Sequence, residues 1–181
     1  MPETTNTDAE MGKPYPRFAL MILISTAVMF AMMYFNTYAA DHVFFSQTRL
    51  WMAIMMGSVM SAGMLMFMWR MYPDRAVNVA ILAGSAVAFA IALWLVRSQA
   101  TVDDVSYMRA MIPHHSIAIM TSERAHIRDP RVRRLADGII EAQVREIGEM
   151  KALIADLEQQ PEKRGALDLA PYDRRAALPE K

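Results

Sequence analysis

Three long stretches without a charged residue constrain the fold of this chain more than any other feature. They run from Phe18 to Tyr38, from Leu50 to Trp69 and from Val77 to Val96. With a rise of 1.5 Å per residue, each would reach about 30 Å as a helix, which is the thickness of the hydrocarbon core of a bilayer. None of them has the polar face that a long helix of a soluble protein usually shows. The sequence therefore predicts three transmembrane helices.

The flanks of these stretches predict their orientation. Arginine and lysine favour the cytoplasmic side of a membrane. One side has four of them and the other has two, namely Lys13, Arg17, Arg70 and Arg75 against Arg49 and Arg97. We therefore expect residues 1–17 to form a cytoplasmic tail and the part after residue 97 to lie outside, in the periplasm or at the cell surface. The expected location is the inner (plasma) membrane.

A cleaved signal peptide is the alternative for the first stretch. It is longer than the apolar core of about 7–15 residues that signal peptides have, and no clear cleavage motif of small residues follows it. We therefore predict a retained anchor. The predicted layout is a three-helix membrane domain over residues 18–97, a helical domain over 98–160 and a flexible tail over 161–181.

Residues 98–160 are predicted to form two amphipathic helices. Acidic residues at Asp103 and Asp104 suit the start of the first helix, which is expected to continue to about Ile127. Asp129 followed by Pro130 is typical of the start of a second helix. A link of two or three residues requires an antiparallel hairpin. The predicted fold class is thus all-α, with three transmembrane helices followed by an extramembrane helical hairpin.

Projection of the two helices predicts which side chains face each other. The inner face of the first helix carries Met108, Met111, Ile112, His115, Ile119, Ser122 and His126, with His114 at its edge. The inner face of the second carries Ile139, Ala142, Gln143, Glu146, Met150, Leu153 and Leu157. In this register Met111 faces Glu146, and His115 faces Ala142 and Gln143. We expect these imidazole, thioether, carboxylate and amide groups to lie in one layer.

Such a layer suggests a metal site. Imidazole and thioether together suit copper, above all in its reduced state. Pro113 removes one helical hydrogen bond and is expected to kink the helix just before the two histidines. The candidate ligands are Met111, His114, His115, Met150, Glu146 and Gln143, with Met108, His126 and His42 as weaker candidates. The alternative for each histidine is an ordinary residue of a helical core.

Two other functions remain open from the residues alone. One is a non-metal scaffold or oligomerisation module, in which Glu146 would pair with Arg109, Arg124 or Arg134. The other is a di-iron carboxylate oxidoreductase, because Glu123 and His126 have the Glu-x-x-His spacing of such sites. A net charge of zero and the absence of a basic stripe argue against nucleic-acid binding. With no phosphate-binding loop and no nucleophile arrangement, we expect a binding protein more than an enzyme.

The segment Asp104–His115, with the sequence DVSYMRAMIPHH, resembles the domain-of-unknown-function 305 family. The similarity continues through SERA at 122–125, DPRV at 129–132 and IIEAQ at 139–143, and covers about residues 102–157. The three predicted spans and DHVFFS at 41–46 resemble membrane-anchored members. This resemblance implies a ferritin-like helical fold and a role in copper binding, storage or tolerance outside the cytoplasm. By position it implicates Met111, His114, His115 and Met150.

The chain departs from the family pattern in two ways. It has one His-His segment, where many soluble members have a second that completes a four-helix bundle, and Thr121 stands where many have methionine. A hairpin of this size has little core of its own. We therefore predict a homodimer or higher oligomer formed through the hairpin.

Overall fold

The computed structural model describes residues 14–159 and 169–170. Their regular structure is helical, in five long helices: α1 (Pro14–Met32), α2 (Gln47–Phe67), α3 (Arg75–Ser98), α4 (Asp104–Arg124) and α5 (Pro130–Gln159). Short 3-10 turns lie at Ala40–His42 and Trp69–Met71. The prediction of an all-α fold is confirmed. The predicted tails at 1–17 and 161–181 lie almost wholly outside the described residues.

Helices α1, α2 and α3 are long and apolar enough to cross a membrane. The first begins and ends earlier than predicted, because the chain turns back after Met32 instead of continuing to Tyr38. Two contacts hold this turn: the Tyr34 hydroxyl accepts a hydrogen bond of 3.0 Å from the Ser46 backbone N–H, and the Arg49 guanidinium lies 4.6 Å from the centre of the Tyr34 ring. The contacts of Tyr34 thus end the helix, although the sequence after Met32 remains apolar.

Helix α2 is the central span and packs against both α1 and α3. Small residues make the approach to α1 close: a Cβ atom at Gly57 would stand only 2.5 Å from the Thr26 Oγ1. At one end of the bundle Phe18, Leu65 and Tyr72 form a buried cluster. Asn78 is fully buried beside them, and its side-chain amide donates a hydrogen bond of 3.0 Å to the Tyr72 carbonyl. The most polar residue of the third span therefore has a structural role.

Helices α4 and α5 form the predicted antiparallel hairpin. Its core consists of Met108, Ile112, Ile119, Ile147 and Ile154, with Ile140, Met150 and Leu157 packed against them. The inner stripe of α5 keeps Met150 and Leu157 of the predicted one, but its isoleucines, Ile140, Ile147 and Ile154, each lie one residue after a predicted position. Ile139 and Leu153, which were predicted to face α4, are 37% and 52% exposed. The stripe of Ile140, Ile147 and Ile154 is apolar at each heptad position, whereas the neighbouring stripe has the charged Glu146 between Ile139 and Leu153, so the apolar stripe packs against α4.

The segment between α1 and α2 fixes the hairpin against the membrane helices. Ser116 of α4 is fully buried, and its hydroxyl accepts a hydrogen bond of 2.7 Å from the Tyr38 backbone N–H. The same hydroxyl lies 3.0 Å from His42 Nδ1. On α5, Lys151 donates a hydrogen bond of 2.7 Å to Asp41. These contacts place the two histidines of α4 close to the C-terminal end of α1 and the N-terminal end of α2.

Candidate functional site

His115 and Glu146 meet across the seam between α4 and α5. The His115 Nδ1 lies 3.2 Å from the Glu146 Oε2, yet the contact does not have the angles of a hydrogen bond. The Nδ1 is buried and, within the described part of the chain, has no hydrogen-bond partner. Burial lowers the pKa of His115, although Glu146 opposes this shift and His114 adds to it. Burial thus favours the neutral form of His115, in which one ring nitrogen keeps an unshared electron pair, as a metal ligand must.

This register differs from the predicted one by about one helical turn, since His115 contacts Glu146 instead of Ala142 and Gln143. Helix α4 ends at Arg124, before the predicted Ile127, and an extended turn follows. Arg109 pairs with Glu158, so Glu146 does not take it as its partner. The ion pair expected for a non-metal scaffold, Glu146 with Arg109, is replaced by the contact with His115.

Met111 and His114 line a cavity of about 410 Å³ between α4, the C-terminal end of α1 and the N-terminal end of α2, whereas His115 does not line it. His114 is exposed, and the centre of its ring lies 6.1 Å from that of His115. The predicted single layer is thus divided: Met111 and His114 face the membrane helices, whereas His115 and Glu146 face the seam of the hairpin.

The other predicted ligands have separate surroundings. Met108 belongs to the buried core of the hairpin, and Met150 packs against the same core. Gln143 is half-buried on α5. His42 is held beside Ser116, and burial followed by the charge of Lys151 lowers its pKa.

The Glu-x-x-His pair is not formed on one helix. His126 is exposed in the turn after α4, two residues beyond Arg124, where that helix ends. Glu123 remains on the helix and raises the pKa of Tyr38 through a hydrogen bond to its hydroxyl. Among the described residues, no three side chains of His, Asp or Glu come together as a metal-binding group. Glu123 and His126 thus do not share a helix, as the Glu-x-x-His spacing of a di-iron site requires.

Two methionines that were not among the predicted ligands also line the cavity. Met33 follows the end of α1 and Met52 lies in the second turn of α2, so both are far from Met111 along the chain. No spacing rule links such distant positions, and only the packing of α4 on the spans brings them together. Three thioethers and one imidazole are a donor set that fits a soft monovalent metal ion.

The match with known proteins falls on the helices that carry these donors. Residues 104–177 match the family described as Domain of unknown function (DUF305). The resemblance found from the Met-x-x-His-His segment is therefore confirmed for this part of the chain. The DUF305 match contains all of α4 and α5 and extends beyond the described helices.

One curated relative is similar to part of the chain. An uncharacterized protein, L153, of Acanthamoeba polyphaga mimivirus is 40% identical over 72 residues. These residues make up 39% of this chain and 47% of the relative, so the similarity spans about half of the relative's length. No solved structure matches the chain. The DUF305 similarity thus covers the α4–α5 hairpin, and the descriptions of the family and of the relative name no activity.

Proposed function

We propose that this protein is a membrane-anchored, outward-facing metal-binding protein that binds copper for storage, buffering or tolerance. The observation that carries the proposal is the arrangement of Met111, His114 and His115 within little more than one turn of α4, beside the outer ends of the spans. Met111 and His114 border a cavity, and the neighbouring His115 has a buried Nδ1 without a hydrogen-bond partner among the described residues. Buried polar atoms are nearly always satisfied, so an unsatisfied imidazole nitrogen suggests a ligand.

The proposed site favours cuprous copper over harder metal ions. Thioether and imidazole are soft or borderline ligands, whereas magnesium and calcium require oxygen ligands. Copper in the cuprous state carries a single charge, which a site of neutral ligands accommodates at lower electrostatic cost than a divalent ion. The protein would thus hold copper without catalysing a reaction.

The proposed topology places the N-terminus in the cytoplasm and the α4–α5 hairpin in the periplasm or outside the cell. Its support is the distribution of basic residues, four on the N-terminal side and two on the other. A copper site on the outer surface of the inner membrane would intercept the ion before it enters the cytoplasm.

The test of the metal proposal is copper binding by the purified full chain in mild detergent. We expect stoichiometric copper by elemental analysis and a cuprous affinity that withstands competition with a cuprous chelator. The variant with both His114→Ala and His115→Ala should lose that affinity, whereas His126→Ala, outside the proposed site, should keep it. A double-histidine variant that binds copper as tightly as wild type would disprove the proposal.

We also propose that two copies associate through their hairpins into a four-helix bundle. A second apolar stripe on α5, made by Val132, Leu135, Ile139 and Leu153, is at least one-third exposed at every position. These residues recur at heptad spacing, which is the pattern by which helices pack against a partner helix. A second copy is the occupant whose own stripe matches in length and spacing.

The oligomeric state in mild detergent tests this association. Wild type should have the mass of a dimer or higher oligomer by light scattering. Leu135→Gln combined with Ile139→Gln should shift it toward monomer, while Val144→Gln, which is exposed on another face of α5, should not. A monomeric wild-type chain would refute the proposal.

A further inference from the structure

The cavity beside His114 contains thioethers from both halves of the molecule. Met33 and Met52 come from the outer ends of α1 and α2, and Met111 and His114 come from α4. The membrane helices thus supply as many potential soft ligands to the cavity as the DUF305 segment does. Neither Met33 nor Met52 lies within the residues that match the family.

These methionines differ from those that fill apolar cores. Met108 and Met150 belong to or pack on the hairpin core, and Met21, Met64 and Met68 pack on the cluster near Phe18. Met33, Met52 and Met111 are half-buried, belong to neither cluster and border open space instead. A methionine has three rotatable bonds, so its sulfur can swing into such a space without moving the backbone.

The charges around the cavity select for an ion of low charge. No aspartate or glutamate within the described residues lines it. Arg49 also borders the cavity, but its guanidinium donates a hydrogen bond of 2.7 Å to the Met33 carbonyl and lies over the Tyr34 ring. Without carboxylates and with one fixed cation nearby, a divalent ion would be repelled more strongly than a monovalent one.

We infer that Met33 and Met52 are ligands for a soft monovalent metal ion, which they bind together with Met111 and His114. The inference rests on the proposed function and deepens it, because the site would be completed by the membrane domain and not by the hairpin alone. The ion would join α1, α2 and α4 at one point. The spans would then be part of the metal site as well as its anchor.

Silver, a monovalent soft ion that is stable in air, is the probe for this inference. We compare the silver affinity of the full chain in mild detergent with that of two double variants, Met33→Leu with Met52→Leu and Met32→Leu with Met56→Leu. The second is a matched control, since Met32 adjoins Met33, Met56 lies one turn after Met52, and both are exposed outside the cavity. Leucine and methionine have similar volumes, so both variants should fold.

We expect the Met33 and Met52 variant to bind silver at least about tenfold more weakly than wild type. Loss of a group that only supports a metal ligand already lowers metal affinity by about tenfold or more, and loss of a ligand should cost at least as much. The Met32 and Met56 variant should bind as wild type does. Equal affinity in the two double variants would overturn the inference and leave the proposed function in place. A wild-type chain that binds neither silver nor copper would overturn both.

X-ray absorption of the silver-loaded wild type gives a second readout that does not depend on any variant. We expect at least two sulfur neighbours around the metal. Within the described lining of the cavity, α4 provides one thioether, that of Met111, so a second sulfur neighbour would come from Met33 or Met52. A single sulfur neighbour, with nitrogen or oxygen for the rest, would contradict a contribution from the membrane domain.

Discussion

Ser116 links the hairpin to the membrane helices through one buried hydroxyl. It has no exposed surface, it accepts a hydrogen bond from the Tyr38 backbone N–H, and it lies within hydrogen-bond distance of His42. Its position on α4, directly after the two histidines, means that this contact also orients His114 and His115. The hydrogen bond from the Tyr38 backbone, which is distant in sequence, thus explains why a small polar residue is buried at this position of α4.

Replacement of Ser116 by alanine should destabilise the folded protein by about 1–3 kcal/mol, because the Tyr38 N–H loses its partner in a buried place. The measurement is denaturant unfolding of the full chain in mild detergent. Ser122→Ala, further along α4, is the matched control and should cost much less. Equal stability of the two variants would show that the Ser116 contact is not formed.

Asp103 begins α4 as its N-cap, and its carboxylate accepts a hydrogen bond of 2.7 Å from the Ser106 backbone N–H. Asp103→Ala should therefore cost about 0.5–2 kcal/mol at pH 7. The hydrogen bonds from Ser106 lower the pKa of Asp103 below its ordinary value of 3.8. The stabilisation is consequently complete at neutral pH and is lost as the pH falls below 3.8 through the lowered pKa.

The pH dependence separates a charged cap from a neutral one. The difference in unfolding free energy between wild type and Asp103→Ala should shrink in acid, whereas that between Asp103→Asn and Asp103→Ala should stay constant, because asparagine caps helices without titrating. An Asp103→Ala penalty that persists unchanged at low pH would be inconsistent with the capping role.

At the level of the helices, the close approach of α1 to α2 depends on Gly57. Gly57→Leu should separate the two helices and lower the thermal stability of the protein in detergent, since even a Cβ atom there meets Thr26 at 2.5 Å. Gly63 lies on the same helix with open space around it and provides the control. If Gly63→Leu is as damaging as Gly57→Leu, close packing at Gly57 is not what holds α1.

Periodicity and charge predicted the number and type of the helices, but not their ends or faces. The spans and the hairpin follow from runs of apolar residues and from Asp129 followed by Pro130, which are local signals. The end of α1 at Met32 depends on Tyr34 meeting Ser46 and Arg49, which is a tertiary contact. The choice between two apolar stripes on α5 depends likewise on which one α4 covers.

At the scale of the whole molecule, the candidate site was only partly predictable. The motif identified Met111, His114 and His115 because they are neighbours in sequence. It could not identify Met33 and Met52, since they reach the cavity only through the docking of the hairpin on the spans. It also placed all ligands between α4 and α5, whereas the structure divides them between that seam and the membrane side.

The proposed topology can be tested because the chain has no cysteine of its own. A single cysteine introduced at Glu149, which is exposed on α5, should react in intact cells with a thiol reagent that cannot cross membranes. A cysteine at Arg70, between α2 and α3, should react only after the membrane is permeabilised. The reverse labelling pattern would place the hairpin in the cytoplasm.

The central claim is that a soft metal ion binds at the paired histidines, and the four histidines of the chain allow a direct test. Nuclear magnetic resonance of the detergent-solubilised protein with isotope-labelled histidine should give one imidazole signal set for each of them. On addition of silver, we predict that the signals of His114 and His115 shift while those of His42 and His126 stay in place. Unchanged signals at His114 and His115, or a shift confined to His126, would contradict the claim.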